Sequence, residues 1–372
     1  MKVSIFVLFI VWGFKLHSQD VPKLTHYLDS TYSVSPFFAN ILLKKGNDVL
    51  LERSFGYSDH LNGIRLSADN SFQVASISKQ FTAYAIMLLK QDRKLAYDSL
   101  VGKYLSGFPY NNITIRHLLT HSSGLPNFWN DIRPHLDQTR SNGNRDVLRF
   151  LKEHSLPLQF EPGSDYQYCD IGYDFLANII EVVSGERYDA FLSKRIFGPL
   201  KMKSSHACLV TDIQKINNPD LAVGHSTAGT TGNIQYAHLD PKNNFVFYLG
   251  DFYGDGSILT SARDLAKWDD ALRKCTLLPC TIQHEAFIPF SENGQRFLTK
   301  TEKRIDYGFG WQIKKHERYG KIVFHGGGHP GNQHIIYRML DKNITLIYLS
   351  NFENEVNAKV TNHIIGMLEA TR

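Results

Sequence analysis

The sequence predicts an α+β fold in which one antiparallel sheet, built from both ends of the chain, is flanked by helices and interrupted by a mostly helical inserted region. Two observations predict it. β-Favouring apolar stretches separated by short turn segments occur near both ends, and apolar residues recur at helical spacing through the middle. Residues 19–75 and 247–372 are assigned to the sheet region and 76–246 to the mainly helical region of one domain, 19–372.

The strands near the amino end come first along the chain. Residues 38–43 and 49–55 are apolar and β-favouring, and the Lys-Lys-Gly-Asn-Asp between them makes a reasonable hairpin turn. The chain after residue 18 is therefore expected to open with a pair of strands.

Helices follow these strands, and more strands close the chain. Helix-spaced apolar residues occur at 79–95, 115–119, 146–153, 171–183, 187–196 and 262–272. Residues 218–247 have weak periodicity and are expected to form loops with short strands at most. Further strand-like stretches lie at 321–325, 334–339 and 344–349, and the last predicted element is a helix over 355–368.

The first 18 residues are typical of a secretory signal peptide. Lys2 precedes an apolar run of 12 residues from Val3 to Phe14, and Ser18 offers a small residue for cleavage. Because a membrane-spanning helix needs about 20 apolar residues, a cleaved signal is favoured and an uncleaved N-terminal tether is the alternative. The mature protein is expected to be periplasmic or secreted, with no stable membrane span.

The composition is that of a globular protein, with 372 residues of which 42% are hydrophobic and 21% charged. Removal of residues 1–18 takes away Lys2 and Lys15 and no acid, so the net charge falls from +5 to +3. Such a mild excess, without a basic run or zinc-finger spacing, excludes a nucleic-acid-binding protein.

Four cysteines are present, at 169, 208, 275 and 280. In an oxidising compartment the short spacing of Cys275 and Cys280 would allow a disulfide that staples a local loop. A metal site is the rival interpretation, but two cysteines alone cannot complete one.

A candidate nucleophile lies at the start of an apolar helix. The motif is Ser76-Ile77-Ser78-Lys79, and from Phe81 onward the helix is apolar on nearly every face. Ser76 would lie in the first turn, where free N–H groups and the helix dipole stabilise negative charge, and Lys79 would present its amine to the hydroxyl of Ser76. Taken alone, this spacing is more typical of an N-cap serine and an exposed lysine.

Companion motifs support the nucleophile. Residues 117–126 read His-Leu-Leu-Thr-His-Ser-Ser-Gly-Leu-Pro, Tyr168-Cys169-Asp170 lies within 160–173, and residues 324–331 read Phe-His-Gly-Gly-Gly-His-Pro-Gly. With these motifs, most of the chain resembles the serine β-lactamases, penicillin-binding proteins and D-alanyl-D-alanine peptidases, closest in style to class C enzymes and their esterase relatives.

Two rival chemistries are disfavoured. No serine has glycine at both flanking second positions, as the nucleophile elbow of an α/β-hydrolase requires. His117 and His121 are four residues apart, but no Glu follows His117 as in a zinc protease, so no metal is expected there.

The resemblance implies an acyl-enzyme mechanism without a cofactor. Ser76 would attack the substrate, Lys79 and Tyr168 would move protons, and the backbone N–H groups of Ser76 and Gly328 would hold the oxyanion. A neighbouring lysine amine is expected to lower the pKa of Tyr168. The strand motif that lines the substrate site in this family, Lys-Thr-Gly or His-x-Gly, falls on His325 and Gly327.

Two positions depart from the family pattern, because Asp170 stands where Asn is usual and His325 stands where Lys is common. If Asp170 is ionised, it would favour the charged form of Lys79; if it is protonated, it would imitate Asn. If its side chain points away from the site, Asp170 would only cap the helix beginning near Ile171. His325 could attract a substrate carboxylate, but it would be only partly cationic at neutral pH.

The expected function is that of an exported serine hydrolase acting on an ester, a D-amino-acid peptide or a β-lactam-like amide. Its partner would be a small-molecule or peptide substrate, with cell-wall compounds among the candidates. The alternative is a penicillin-binding-like sensor or scaffold that is acylated without turnover.

Overall fold

The computed structural model describes residues 20–209, 220–228, 232–290 and 306–370; the predicted signal peptide and its cleavage site lie outside these ranges. The α-helices are α1 (Asp20–Val34), α2 (Lys79–Gln91), α3 (Ile115–Leu119), α4 (Asn144–His154), α5 (Asp170–Ser184), α6 (Tyr188–Leu192), α7 (Phe245–Tyr248), α8 (Ala262–Lys274), α9 (Cys280–Gln283) and α10 (Glu355–Ala370). The 3-10 turns are Ala75–Ser78, Val101–Lys103, Arg133–His135, Ala237–Leu239, Pro241–Asn243, His284–Phe287 and Leu340–Lys342, and the π turns are Phe128–Ile132 and Ser193–Phe197.

The β-strands are β1 (Ala39–Lys45), β2 (Asp48–Phe55), β3 (Tyr57–Asp59), β4 (Ile64–Arg65), β5 (Phe72–Gln73), β6 (His206–Ala207), β7 (His225–Thr227), β8 (Ile234–Tyr236), β9 (Ile258–Thr260), β10 (Asp306–Tyr307), β11 (Gln312–His316), β12 (Gly320–His329), β13 (Asn332–Met339) and β14 (Ile344–Ser350).

The main sheet has seven strands in the order β10-β11-β12-β13-β14-β1-β2. All neighbouring strands are antiparallel, and β1 joins the two ends of the chain by pairing with β14 from Ala39 opposite Ser350 to Lys45 opposite Ile344. The prediction of one antiparallel sheet built from both ends of the chain is confirmed.

Helices cover both faces of this sheet. On one face α1 and α10 bury Leu24, Leu28, Val360 and Ile364 against strand residues in a single apolar cluster. On the other face a larger cluster contains the buried residues of α2, α5 and α8. Strand β1, which lies between β14 and β2, is accordingly buried along nearly its whole length, and the helical region is anchored on the second face.

The structure departs from the sequence prediction at several element boundaries. The helix α1 precedes the first strands, so the expectation that the chain after residue 18 opens with strands is wrong; α1 buries only Leu24 and Leu28 and therefore has a weak apolar pattern. Helix α2 ends at Gln91 rather than 95, because Arg93 has a φ of 58°. The predicted helix over 187–196 divides into α6 and a π turn.

Cys275 and Cys280 form a disulfide that joins the end of α8 to α9, so the predicted loop staple is present. None of the helices in the described part of the chain is long and apolar enough to cross a bilayer.

Candidate active site

Ser76 lies in a short 3-10 turn that leads directly into α2. The preceding residue, Ala75, has a φ of 46°, in the left-handed region that non-glycine residues rarely adopt. Strand β9 holds this turn: Val74 N–H donates to the carbonyl of Ile258 (2.9 Å), and Ile258 N–H donates to Oγ of Ser78 (3.1 Å). These contacts fix the backbone that presents Ser76.

The hydroxyl of Ser76 contacts both predicted proton-transfer groups. Lys79 Nζ lies 3.0 Å from Ser76 Oγ, and the Tyr168 hydroxyl donates to the same oxygen at 2.8 Å. Lys79 has no exposed surface. The alternative interpretation of an N-cap serine beside an exposed lysine is therefore wrong.

His121 positions the segment that carries Tyr168. Its Nδ1 accepts a hydrogen bond from Cys169 N–H at 3.1 Å, its carbonyl accepts one from Gln167 N–H at 2.9 Å, and its ring lies 4.4 Å from the Tyr168 ring. His117 contacts the backbone at the start of α3 instead, through Nδ1. The motif over 117–126 thus acts on the site by supporting Tyr168.

Two acidic residues contact the amine of Lys79, and a third lies one turn along the same helix as the first. Asp170 Oδ1 accepts from Nζ at 2.8 Å, and Asp255 contacts Nζ through its carbonyl at 3.1 Å and its carboxylate at 3.9 Å. Asp174 follows Asp170 by one helical turn on α5 and is 2% exposed. Cys169 is the N-cap of α5 and Asp170 makes no side-chain cap, so the capping interpretation of Asp170 is wrong.

The surroundings of Lys79 favour its charged, ammonium form. Burial alone would lower the pKa of Lys79, but the charge of Asp170, assisted by Tyr168 and Asp255, raises it well above its usual value. A charged Lys79 cannot accept the proton of Ser76, so the resting site must lose a proton before the hydroxyl can attack.

The surroundings of Tyr168 favour its neutral, phenol form. Although 37% of the residue is exposed, its hydroxyl is turned toward Ser76. Burial raises the pKa of Tyr168, the charge of Lys79 lowers it, and the charge of Asp170 raises it. Together these effects leave the pKa of Tyr168 above its usual value. The expectation that a neighbouring lysine would lower the pKa of Tyr168 is wrong, because burial and Asp170 outweigh Lys79.

Strand β12 forms the opposite side of the site. A Cβ atom at Gly327 would come within 2.1 Å of the carbonyl oxygen of Val74, so only glycine lets the strand approach the turn that carries Ser76. A Cβ at Gly328 would meet nothing within 4 Å, and this residue lines the cleft beside Ser76. The position suits a backbone N–H that receives an oxyanion.

His325 is buried behind these glycines, at 2% exposure. Its Nδ1 donates to the carbonyl of Gly326 at 2.6 Å, which leaves Nε2 to accept from the hydroxyl of Tyr307 at 2.9 Å. Burial, assisted by Lys79, lowers the pKa of His325 to about 4. The expected partial positive charge on His325 at neutral pH is therefore wrong.

A cleft of about 230 Å³ opens in front of Ser76. Its acidic lining comprises Asp170, Asp174 and Asp255, and its aromatic wall consists of Phe128, Trp129, Phe245 and Phe252. Sequence reasoning missed Asp174, Asp255 and the aromatic wall. The four-residue spacing of Asp170 and Asp174 was a usable signal; Asp255 reaches the site only through the fold.

Two comparisons of the sequence with known proteins found matches over most of the chain. The family model described as Beta-lactamase matches residues 39–366. Penicillin-binding protein 4* of Bacillus subtilis (strain 168) is 33% identical over 342 residues, which cover 88% of this chain and 72% of that protein.

Two solved structures share the fold. The octameric penicillin-binding protein homologue from Pyrococcus abyssi has a TM-score of 0.78 and 23% identity over 95% of this chain and 78% of that one. The D-amino acid amidase from Ochrobactrum anthropi SV3, complexed with D-phenylalanine, has a TM-score of 0.75 and 22% identity over 95% and 100% of the two chains.

Proposed function

Since this chain belongs to the β-lactamase family of serine hydrolases, we propose that it hydrolyses an ester, a D-amino-acid peptide or a β-lactam-like amide through an acyl-enzyme on Ser76. One observation carries the proposal: Ser76 Oγ lies within hydrogen-bonding distance of both the Lys79 amine and the Tyr168 hydroxyl, at the base of an open cleft. Such a cluster is what a serine nucleophile needs for proton removal.

The charges of the site define the form that reacts. With Lys79 charged and Tyr168 neutral, no group is ready to take the proton of Ser76. The competent form is the one in which the cluster of Ser76, Lys79 and Tyr168 holds one proton fewer. In that form Oγ attacks the carbonyl carbon, and its proton passes to the lysine or the phenolate.

The remaining steps use groups on both sides of the cleft. The N–H groups of Ser76 and Gly328 would stabilise the negative charge on the carbonyl oxygen of the tetrahedral intermediate. Tyr168 would then protonate the leaving group as the acyl-enzyme forms, and water would release the acid by the reverse sequence of proton transfers. None of these steps calls on a cofactor.

A second candidate is a penicillin-binding-like sensor that is acylated without turnover. The charge on Lys79 favours it, because deacylation also needs a base and the ion pair with Asp170 withholds one. Pre-steady-state kinetics separate the two candidates: the enzyme gives a burst followed by steady turnover, and the sensor gives a burst alone.

The proposed chemistry is tested with p-nitrophenyl esters, a chromogenic cephalosporin and D-Ala-D-Ala peptides, assayed on the protein without residues 1–18. The matched control is Ser76→Ala. Turnover by the wild-type protein that the Ser76→Ala variant lacks supports the proposal; equal rates for the two proteins contradict it.

We also propose export to the periplasm or the medium, on the strength of the signal-like residues 1–18. The intact mass of the secreted protein should correspond to a chain beginning near Gln19. A retained Met1 would instead support the N-terminal tether.

A further inference from the structure

We propose that the cleft selects acyl groups that carry a large apolar side chain and an ammonium group on the carbon next to the reacting carbonyl, as amino-acid esters and amides do. Acyl groups that carry a carboxylate on that carbon are disfavoured. The inference rests on the proposed acyl transfer at Ser76 and names the substrate class of that site. It follows from the charge balance of the cleft, an unpartnered buried oxygen and the aromatic wall.

The carboxyl groups of the cleft outnumber its cations. Asp170 is balanced by its 2.8 Å ion pair with Lys79, whereas the Asp255 carboxylate lies 3.9 Å from the same nitrogen. Burial raises the pKa of both Asp174 and Asp255, and the charge of Asp255 raises that of Asp174 further. Among the described residues, the Asp255 carboxylate has no cation closer than this 3.9 Å contact. Raised pKa values are typical of carboxyl groups without a compensating positive charge, and an ammonium group beside the pair would supply one.

Asp174 supplies the second observation. It is 2% exposed and lines the cleft, and its Oδ1 has no hydrogen-bond partner among the described residues. A buried acceptor without a donor is costly, and a bound ammonium group, with three N–H donors, would supply one.

The position of the carboxyl groups places the ammonium next to the reacting carbonyl. Ser76 Oγ and Asp170 Oδ1 are both within 3.0 Å of Lys79 Nζ, and the Asp255 carboxylate is 3.9 Å from that atom. A substituent on the carbon beside a carbonyl that Ser76 attacks would therefore lie close to these acids.

No described group in the cleft suits a substrate carboxylate. None of the described residues that line the cleft is Lys or Arg. Burial lowers the pKa of His329, like that of His325, to about 4, so both rings are neutral at pH 7. Arg133 is nearby, but it is hydrogen-bonded to Tyr248 at 2.7 Å and its guanidinium lies over the ring of Trp129.

The aromatic wall fits the apolar part of such a substrate. Phe128, Trp129, Phe245 and Phe252 contact one another edge to face, with ring centroids 5.4–5.6 Å apart, and Trp129 is 42% exposed. Exposed aromatic surface beside a concave site typically binds an apolar group.

A bound metal ion is a poorer explanation of the acids. The three carboxyl groups do not form a group whose ligand atoms all lie within 4.8 Å of one another; the one such group in the described part of the chain is formed by Cys275, Cys280 and His284.

Three p-nitrophenyl esters test the proposal. Their acyl groups are phenylalanyl, 3-phenylpropionyl and the monoacyl group of benzylmalonic acid, which share the benzyl group and differ only in an ammonium, a hydrogen or a carboxylate on the adjacent carbon. Both enantiomers of the chiral esters are assayed at pH 6.5, because an α-amino group has a pKa of about 7.7. The Ser76→Ala rate is subtracted.

We expect kcat/KM for the ammonium ester to exceed that for the uncharged ester at least about tenfold, and that for the carboxylate ester to be lower again. Asp255→Asn should reduce the ammonium preference to less than about threefold. Asp189→Asn, the same charge change at a residue on α6 whose side chain is 42% exposed, should leave the preference intact. Equal rates for the three esters, or a preference for the carboxylate ester, would overturn the proposal.

A binding measurement covers the case in which Asp255→Asn fails to fold or to react. Calorimetry on the folded Ser76→Ala protein should show that phenylalaninamide binds and that 3-phenylpropionamide binds at least about tenfold more weakly. Equal affinities would overturn the proposal. Absence of Ser76-dependent release from all three esters would instead contradict the proposed acyl transfer itself, and the inference with it.

Discussion

Lys79 and Asp170 form an ion pair of 2.8 Å beside the nucleophile, where the lysine has no exposed surface and the aspartate is 27% exposed. The pair keeps Lys79 charged, whereas a base needs the neutral amine. Asp170, one of the two residues that depart from the family pattern, is therefore expected to set the pH at which Ser76 becomes reactive.

Asp170→Asn should move the rising limb of kcat/KM to lower pH. Asp170 raises the pKa of Lys79, so its removal lowers that pKa and enlarges the reactive fraction at neutral pH. We expect the wild-type protein to be a weak amidase, and the variant to gain amide or lactam turnover relative to ester turnover. The pH profiles of both proteins are measured with one ester and one amide. Superimposable profiles with an unchanged substrate ratio would contradict this role.

Ser76→Ala should abolish covalent labelling by a fluorescent penicillin or fluorophosphonate without unfolding the protein. The hydroxyl oxygen of Ser76 contacts the side chains of Lys79 and Tyr168. Loss of this one hydroxyl at a half-buried position is a small change to the fold. Labelling is followed on gels and folding by circular dichroism. A folded variant that labels at the wild-type level would refute the nucleophile assignment.

Lys79→Ala and Tyr168→Phe should each slow acylation about a hundredfold or more, the usual scale for groups that transfer protons. Tyr168→Phe is the cleaner variant, because it removes one hydroxyl and keeps the ring against His121. Stopped-flow measurement of the burst gives the acylation rate directly. An unchanged burst in Tyr168→Phe would show that the phenol only orients Ser76.

Gly327→Ala should reduce kcat/KM by about a hundredfold or more. Its Cβ would come within 2.1 Å of the Val74 carbonyl, so either β12 or the turn that carries Ser76 must shift, and small displacements of reacting groups are costly. Gly366→Ala is the matched control, because a Cβ there meets nothing within 4 Å and the residue lies within α10. Wild-type activity in Gly327→Ala would contradict the close approach of β12.

The disulfide should contribute about 2 kcal/mol to the free energy of unfolding, the value expected for a loop of this length. Denaturant unfolding of the wild type and of the Cys275→Ser, Cys280→Ser double variant measures this difference. Alkylation of the denatured, unreduced protein should modify only Cys169 and Cys208. Modification of four thiols without reduction would exclude the bridge.

Much of the fold could be predicted from the sequence because its strands and long helices carry strong apolar patterns. The predicted strand over 344–349 lies within β14, and the predicted helix over 171–183 lies within α5, which ends where Gly185 takes a positive φ. Helix α1 and the two short strands β10 and β11 were missed, since elements with few buried residues have weak periodicity.

The candidate site was predictable to the extent that it depends on local spacing. Ser76 and Lys79 are three positions apart within one motif, and the structure brings Tyr168 to the same oxygen. The charge states were not predictable, because they depend on burial and on residues distant in sequence. Asp255 lies 176 residues from Lys79, and no local pattern links the two.

The pairing of β1 with β14 sets the order in which this protein can mature. Strand β1 gains this neighbour only when residues 344–350 have been made. Gly327, which lets β12 approach the turn that carries Ser76, comes almost as late in the chain. Such distant pairings are slow to form, because a long stretch of chain must be closed into a loop first. A nascent chain that has not yet made β12 to β14 therefore carries Ser76 without the strands that complete the cleft around it, and the proposed hydrolytic activity is expected only after residue 350 has been made.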